Sequence, residues 1–132
     1  MLKLRGRYYE LPLAGSKIRS IGYNGALRLI FGEFEESYLN LLSRFEVKRH
    51  GHAAFLLPKS KEALLLFFDL LNAEVAVQEA KADKEGRLFL TFADKTEVMI
   101  AGPDEYGDFT RHSSQAPSAN GSVSGGLGYL DF

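Results

Sequence analysis

Apolar positions recur along this chain with two different periods, and the changes of period mark its elements. In "ALRLIF" Leu27, Leu29 and Phe31 alternate with Arg28, the pattern of a half-buried strand. The same alternation returns in "RLFLTF" and "TEVMIA", joined by the short polar turn "ADK". With "AEVAVQEAKA" and the turn "DKEG" before them, these segments predict an antiparallel meander with Gly86 in its first turn. "PKSKEALLLFFDLLNA" is of another kind. Pro58 bars helix at the residue before it, Ser60 is a natural N-cap and Asn72 a stop, so a helix is predicted over about residues 60–71. Its apolar residues wrap most of the circumference, which predicts cover on more than one side. "SYLNLLSRFEVKRH" fits both periods: Tyr38, Leu41, Leu42 and Phe45 have helical spacing, whereas Phe45 and Val47 alternate.

A repeat favours strand for the first part of residues 38–47. Aligning "GALRLIFGEFEESYLNLLSRFEV" with "GRLFLTFADKTEVMIAGPDEYGDF" matches Leu27, Leu29 and Phe31 to Leu88, Leu90 and Phe92. A turn and a second strand follow in both copies. The fold class predicted is α+β, a mostly antiparallel sheet of two related β-hairpin units packed on one main helix, with the helix covering one face. Asn24-Gly25 marks a tight hairpin turn before the first copy. Residues 1–132 form a single domain in this reading, with 1–15 an N-terminal arm or strand. Residues 113–126, "SSQAPSANGSVSGG", are a flexible Ser/Gly-rich loop, after which "LGYLDF" returns to the sheet.

Composition narrows the chemistry. The 132 residues contain no cysteine, which removes disulfides, thiolate metal sites and a cysteine nucleophile. The N-terminus lacks the apolar core of a signal peptide, and "ALLLFFDLL" is too short to span a bilayer, so a cytoplasmic protein off the membrane is expected. Net charge is −1, yet basic residues dominate before residue 61 and acidic ones after it. That asymmetry suits either two binding faces or two halves that complement each other on packing.

The order of elements resembles a family of small bacterial proteins catalogued only as a domain of unknown function. The residues that carry the resemblance are Leu29 to Phe31, the helix from Pro58 to Leu71, "GRLFLTFADKTEVMI", "PDEYGDF" and the glycine-rich "SGGLGYLDF", over roughly residues 16–132. Three positions depart from the family pattern: Lys95 stands where its turn has glycine, Gly107 replaces a glutamate and Phe109 a tryptophan. The family brings no activity and no residue role. For members beside toxin systems the resemblance implies an immunity-type, neutralising binding protein.

Two acidic groups are the candidate binding residues: Glu33, Glu35 and Glu36 after the first repeated strand, and Asp104, Glu105 and Asp108 with Tyr106 and Phe109. If the repeat brings them face to face they form a binding rim, or a carboxylate pair for a small enzyme or ligand binder. Solvated turns are the plainer interpretation. His50 and His52, two apart on a strand, are a weak alternative metal site disfavoured by Lys48 and Arg49, and His112 lies farther on. "SGGLG" lacks the strand, helix and lysine of a phosphate loop, so no cofactor is expected. "KLRGRYYE" could meet nucleic acid through charge and stacking, but a pI near 6.3 argues against it. The function expected from sequence is non-catalytic binding of a protein partner. A homodimer is expected as well, through the C-terminal strand or the helix's surplus apolar surface.

Overall fold

The computed structural model describes residues 3–11, 13–23, 27–33, 37–41, 44–85, 87–100, 105–111, 121–126 and 129–131, with backbone alone for Lys3, Arg5 and everything from residue 105 onward. In chain order these form β1 (Lys3–Arg5), β2 (Tyr8–Glu10), β3 (Ile18–Tyr23), β4 (Leu27–Phe31), β5 (Ser37–Leu41), β6 (Phe45–Arg49) and β7 (His52–Leu56). Helix α1 (Lys61–Asn72) follows, then β8 (Val77–Asp83), β9 (Leu88–Phe92), β10 (Glu97–Ile100), β11 (Glu105–Arg111), β12 (Gly121–Gly126) and β13 (Tyr129–Asp131). The fold is α+β, with one helix packed on antiparallel sheet. A seven-stranded sheet runs β1-β2-β8-β9-β10-β6-β7 and a six-stranded sheet β13-β12-β11-β5-β4-β3.

Local chemistry accounts for the elements. Leu27, Leu29 and Phe31 are buried while Arg28 is exposed, as the alternation requires. Residues 38–47 are strand at both ends, β5 and β6, so the helical spacing there is not used. His50 and Gly51, with φ of 53° and 78°, make the tight turn between β6 and β7. In the β8–β9 turn the buried Asp83 carboxylate accepts from the N–H groups of Glu85 and Arg87 and from Arg87 Nε. In the β9–β10 turn Asp94 Oδ1 accepts from Thr96 N–H at 3.0 Å, and Lys95 takes a left-handed φ of 76°. A left-handed φ is strained for a residue with a Cβ and free for glycine. The turns at Asn24-Gly25 and Gly86 lie outside the described residues.

Ser60 caps α1 as predicted: its Oγ accepts from Ala63 N–H at 3.2 Å and donates to the Leu57 carbonyl at 2.7 Å. The helix ends in a Schellman arrangement, with Val75 N–H on the Leu70 carbonyl and Glu74 N–H on that of Leu71. Glu74 supplies the left-handed residue, at φ 53°.

The two repeated hairpins do not share one sheet, which corrects the sequence expectation. β4–β5 belongs to the six-stranded sheet and β9–β10 to the seven-stranded one. Both inner faces are apolar, and Leu27, Leu29, Phe31, Leu39 and Leu41 join Leu88, Leu90, Phe92, Val98 and Ile100 in a single cluster. A 12-residue helix is only about 18 Å long and cannot cover that much apolar surface, so the two sheets bury each other's faces instead.

The repeat is deeper than two hairpins. Strands β3-β4-β5 match β8-β9-β10, and each meander is extended by the hairpin that follows the other: β11–β12 beside β5, and β6–β7 beside β10. Both meanders carry a register shift at matching places, Ile18/Ser20 and Val77/Glu79. The Gly32 N–H donates to the Lys17 carbonyl as the Ala93 N–H does to that of Ala76. Lys17 and Ala76, equivalent by this matching, pair with each other in an antiparallel bridge. An antiparallel pair is two-fold symmetric, so this bridge lies where an approximate internal two-fold axis passes.

The helix buries Ala63, Leu66, Phe67 and Leu70 and leaves Leu65 and Phe68 exposed, so the chain itself does not cover it all round and these two form its surplus apolar surface. One more expectation changes. Residues 121–126 are strand β12 rather than loop, because pairing to β11 and β13 satisfies a backbone whose Gly/Ser side chains favour no strand. The N-terminal segment is a hairpin on β8.

Phe67 is fully buried beside the Phe45 ring, 5.7 Å between centroids. Phe67→Ala should cost about 3–5 kcal/mol in denaturant unfolding, and Phe67→Asp should abolish the cooperative transition. Lys95→Gly should raise stability by about 1 kcal/mol by relieving the left-handed backbone, seen as a higher denaturant midpoint at unchanged slope.

Candidate binding surface

Antiparallel pairing decides where the acidic candidates fall. Glu33 is exposed in the turn after β4, near the Ser37 end of β5. β11 enters beside the opposite end, since Arg111 pairs with Ser37, Thr110 with Tyr38 and Phe109 with Leu39. Glu105 therefore sits six residues, roughly 20 Å, along the ladder from Arg111. Glu33 and Glu105 are not brought together. The reason lies in the repeat: the turn equivalent to the one after β4 is that of Asp94, not residues 104–108. Glu35, Glu36 and Asp104 lie outside the described residues. Glu105, Tyr106, Asp108 and Phe109 are described by backbone, all on β11.

His50 and His52 are exposed around the β6–β7 turn. Among the described residues no group of three His, Cys, Asp or Glu side chains is placed to hold a metal ion. His112 lies outside them. The Tyr8 ring packs within its own sheet, edge-on to Phe89 at 5.7 Å and 4.3 Å from the Lys81 ammonium. No described helix is long and apolar enough to cross a membrane.

One ionic cluster ties three elements together. Arg49, on β6, reaches Asp69 of α1 and Asp94 of the β9–β10 turn, both at 3.5 Å. Its Nε is buried without a hydrogen-bond partner among the described residues. Burial by itself raises the pKa of the Asp94 carboxyl, but donation from Thr96 and the nearby Arg49 guanidinium outweigh it and hold the carboxyl below its ordinary value.

Beside this cluster large apolar side chains are exposed at two places, the surplus expected on the helix and a second, on and after β7, that the sequence reading did not single out. Phe55, Leu57, Leu65 and Phe68 are 60%, 58%, 54% and 44% exposed. Leu65 and Phe68, three apart on α1, share its outward face. A signal was present in "HAAFLLP", where five consecutive apolar residues leave neither strand face polar. The Arg44 guanidinium lies over the Phe55 ring at 4.8 Å from its centroid.

No family model, no curated protein and no solved structure matches this chain.

Two outcomes follow from this geometry. The folded Asp94 pKa lies below the unfolded one, so its stabilising contribution is complete above about pH 4 and fades as pH falls through the folded value. Asp94→Asn should lower the melting temperature at neutral pH and flatten its fall in acid, measured by thermal unfolding across that range. Phe109 occupies the register position that the buried Val47 occupies in the other sheet, opposite Leu39 as Val47 is opposite Val98. Phe109→Ala should accordingly destabilise by about 3 kcal/mol, and Tyr106→Ala measured alongside it tests whether that ring shares the role.

Proposed function

We propose that this chain is a non-catalytic binding module that takes a protein partner on the outward face of α1. The observation that carries it is the exposure of Leu65 and Phe68 on a helix whose opposite face is fully committed to the core. The fold does not use these side chains, and an aromatic–aliphatic pair one turn apart on a rigid helix is a natural anchor for a complementary pocket. Asp69 beside them, held by Arg49, and the exposed Glu62 and Lys61 give the patch a polar rim. Binding of this kind works by surface burial alone, as a scaffolding or neutralising protein requires.

The test is the double variant Leu65→Ser/Phe68→Ser. Surface substitutions of this kind leave folding stability within about 0.5 kcal/mol, whereas losing an anchor weakens binding by about 2 kcal/mol or more. Immobilised wild type and variant, matched for melting temperature, should differ in one retained protein, whose purified form then binds the variant at least about 30-fold more weakly. Identical retention by both would remove the basis of this proposal.

A further inference from the structure

The four strands that end the two sheets are β1, β7, β13 and β3. Open edges invite further pairing unless charge, a bulge, proline or a covering segment blunts them. Three of the four carry such a device: β1 has Lys3 and Arg5, β13 has Asp131, and β3 has Arg19 and a register shift. β7 has none. Its sequence, "HAAFL", contains no carboxylate, lysine, arginine or proline, and its pairing with β6 is regular throughout. Ala53, Ala54 and Phe55 are all exposed. In the internal repeat the counterpart of β7 is β12, and β13 pairs with β12 on the side that is open in β7.

We propose that β7 pairs with β7 of a second copy of this chain, antiparallel and about a two-fold axis at Ala54. The β6–β7 turn fixes which backbone groups are free. A two-residue turn closes on a hydrogen-bonded pair, here Arg49 and His52, so Ala54 and Leu56 also bond back to β6. The N–H and C=O groups of Ala53 and Phe55 are left directed to the open side. An axis at Ala54 sets Ala53 of one copy opposite Phe55 of the other, so the free groups of each copy meet those of its mate in bonded pairs. Ala54 faces Ala54 at the close, non-bonded position, where a methyl group fits. His52 faces Leu56. No like charges oppose each other, and the large ring of Phe55 meets the smallest side chain on the strand. The strand is thus complementary to itself, which singles out a second copy as its occupant. Leu65 and Phe68 take no part in the contact, so its outcome is independent of the partner surface on α1.

Light scattering after size exclusion should give wild type at twice the 14.7 kDa chain mass at micromolar concentration. Ala53→Pro removes an N–H that the chain itself does not use and blocks the open side, so the mass should fall to one chain with the melting temperature little changed. Ala54→Lys and Ala54→Glu each put like charges opposite one another at the axis. Each alone should run as a single chain, and their equimolar mixture should regain the doubled mass. Wild type at the mass of one chain overturns the proposal. So does a doubled mass that survives Ala53→Pro, or one lost only on removing residues 127–132. Failure of the Lys and Glu variants to combine also overturns it, and this pair decides the matter should Ala53→Pro not fold.

Discussion

A three-stranded antiparallel meander leaves a row of unpaired backbone groups along each margin, and this protein is arranged around closing those margins reciprocally. The free side of β5 is taken by β11 from the far half of the chain, and the free side of β10 by β6 from the near half. The Lys17–Ala76 bridge joins the two meanders where their first strands begin. Once the strands are exchanged in this way the two apolar faces are set opposite each other, and the burial of Leu29, Phe31, Leu90 and Phe92 in one cluster follows. Helix α1 then completes the cluster, with Phe67 against Phe45.

Much of this was legible along the chain because it is local. Alternation placed β4, β9 and β10, a serine and a proline placed the start of α1, and the match of Leu27, Leu29 and Phe31 to Leu88, Leu90 and Phe92 exposed the repeat. The partition into two sheets was not legible. Nothing in the alternation of Val47 or Phe109 says which meander it extends, since pairing partners are chosen by the fit of distant faces. The loop assigned to residues 113–126 failed in part for a related reason: Gly121–Gly126 is held as strand by its neighbours' backbones rather than by its own side chains.

The surface was less legible than the fold. Charge drew attention to the glutamates and aspartates around residues 33–36 and 104–108, yet a hairpin repeat maps turn onto turn, and the true counterpart of the first cluster is the turn of Asp94. That the helix carries an apolar surplus could be read from the sequence, but which residues make it up could not. "ALLLFFDLL" carries more apolar positions than one helix face can use, and only the packing shows that Ala63, Leu66, Phe67 and Leu70 are taken while Leu65 and Phe68 are left over. A surplus of this sort is informative because solvent exposure of large side chains in a group has no benefit for folding.

Reciprocal exchange also sets a timetable for the chain during its synthesis. β5 emerges from the ribosome well before β11 exists, so the near half waits with an open margin and an uncovered apolar face until the far half arrives. Contacts so distant along the chain make folding slow and concentrate it in one late step. The near half at that stage is a sheet edge in search of a strand, and the first strand of the right kind to reach it is as easily that of a neighbouring nascent chain as its own. Bulges and charges at the margins of β3 and β1 are what such a half-made molecule has to keep it apart from its neighbours.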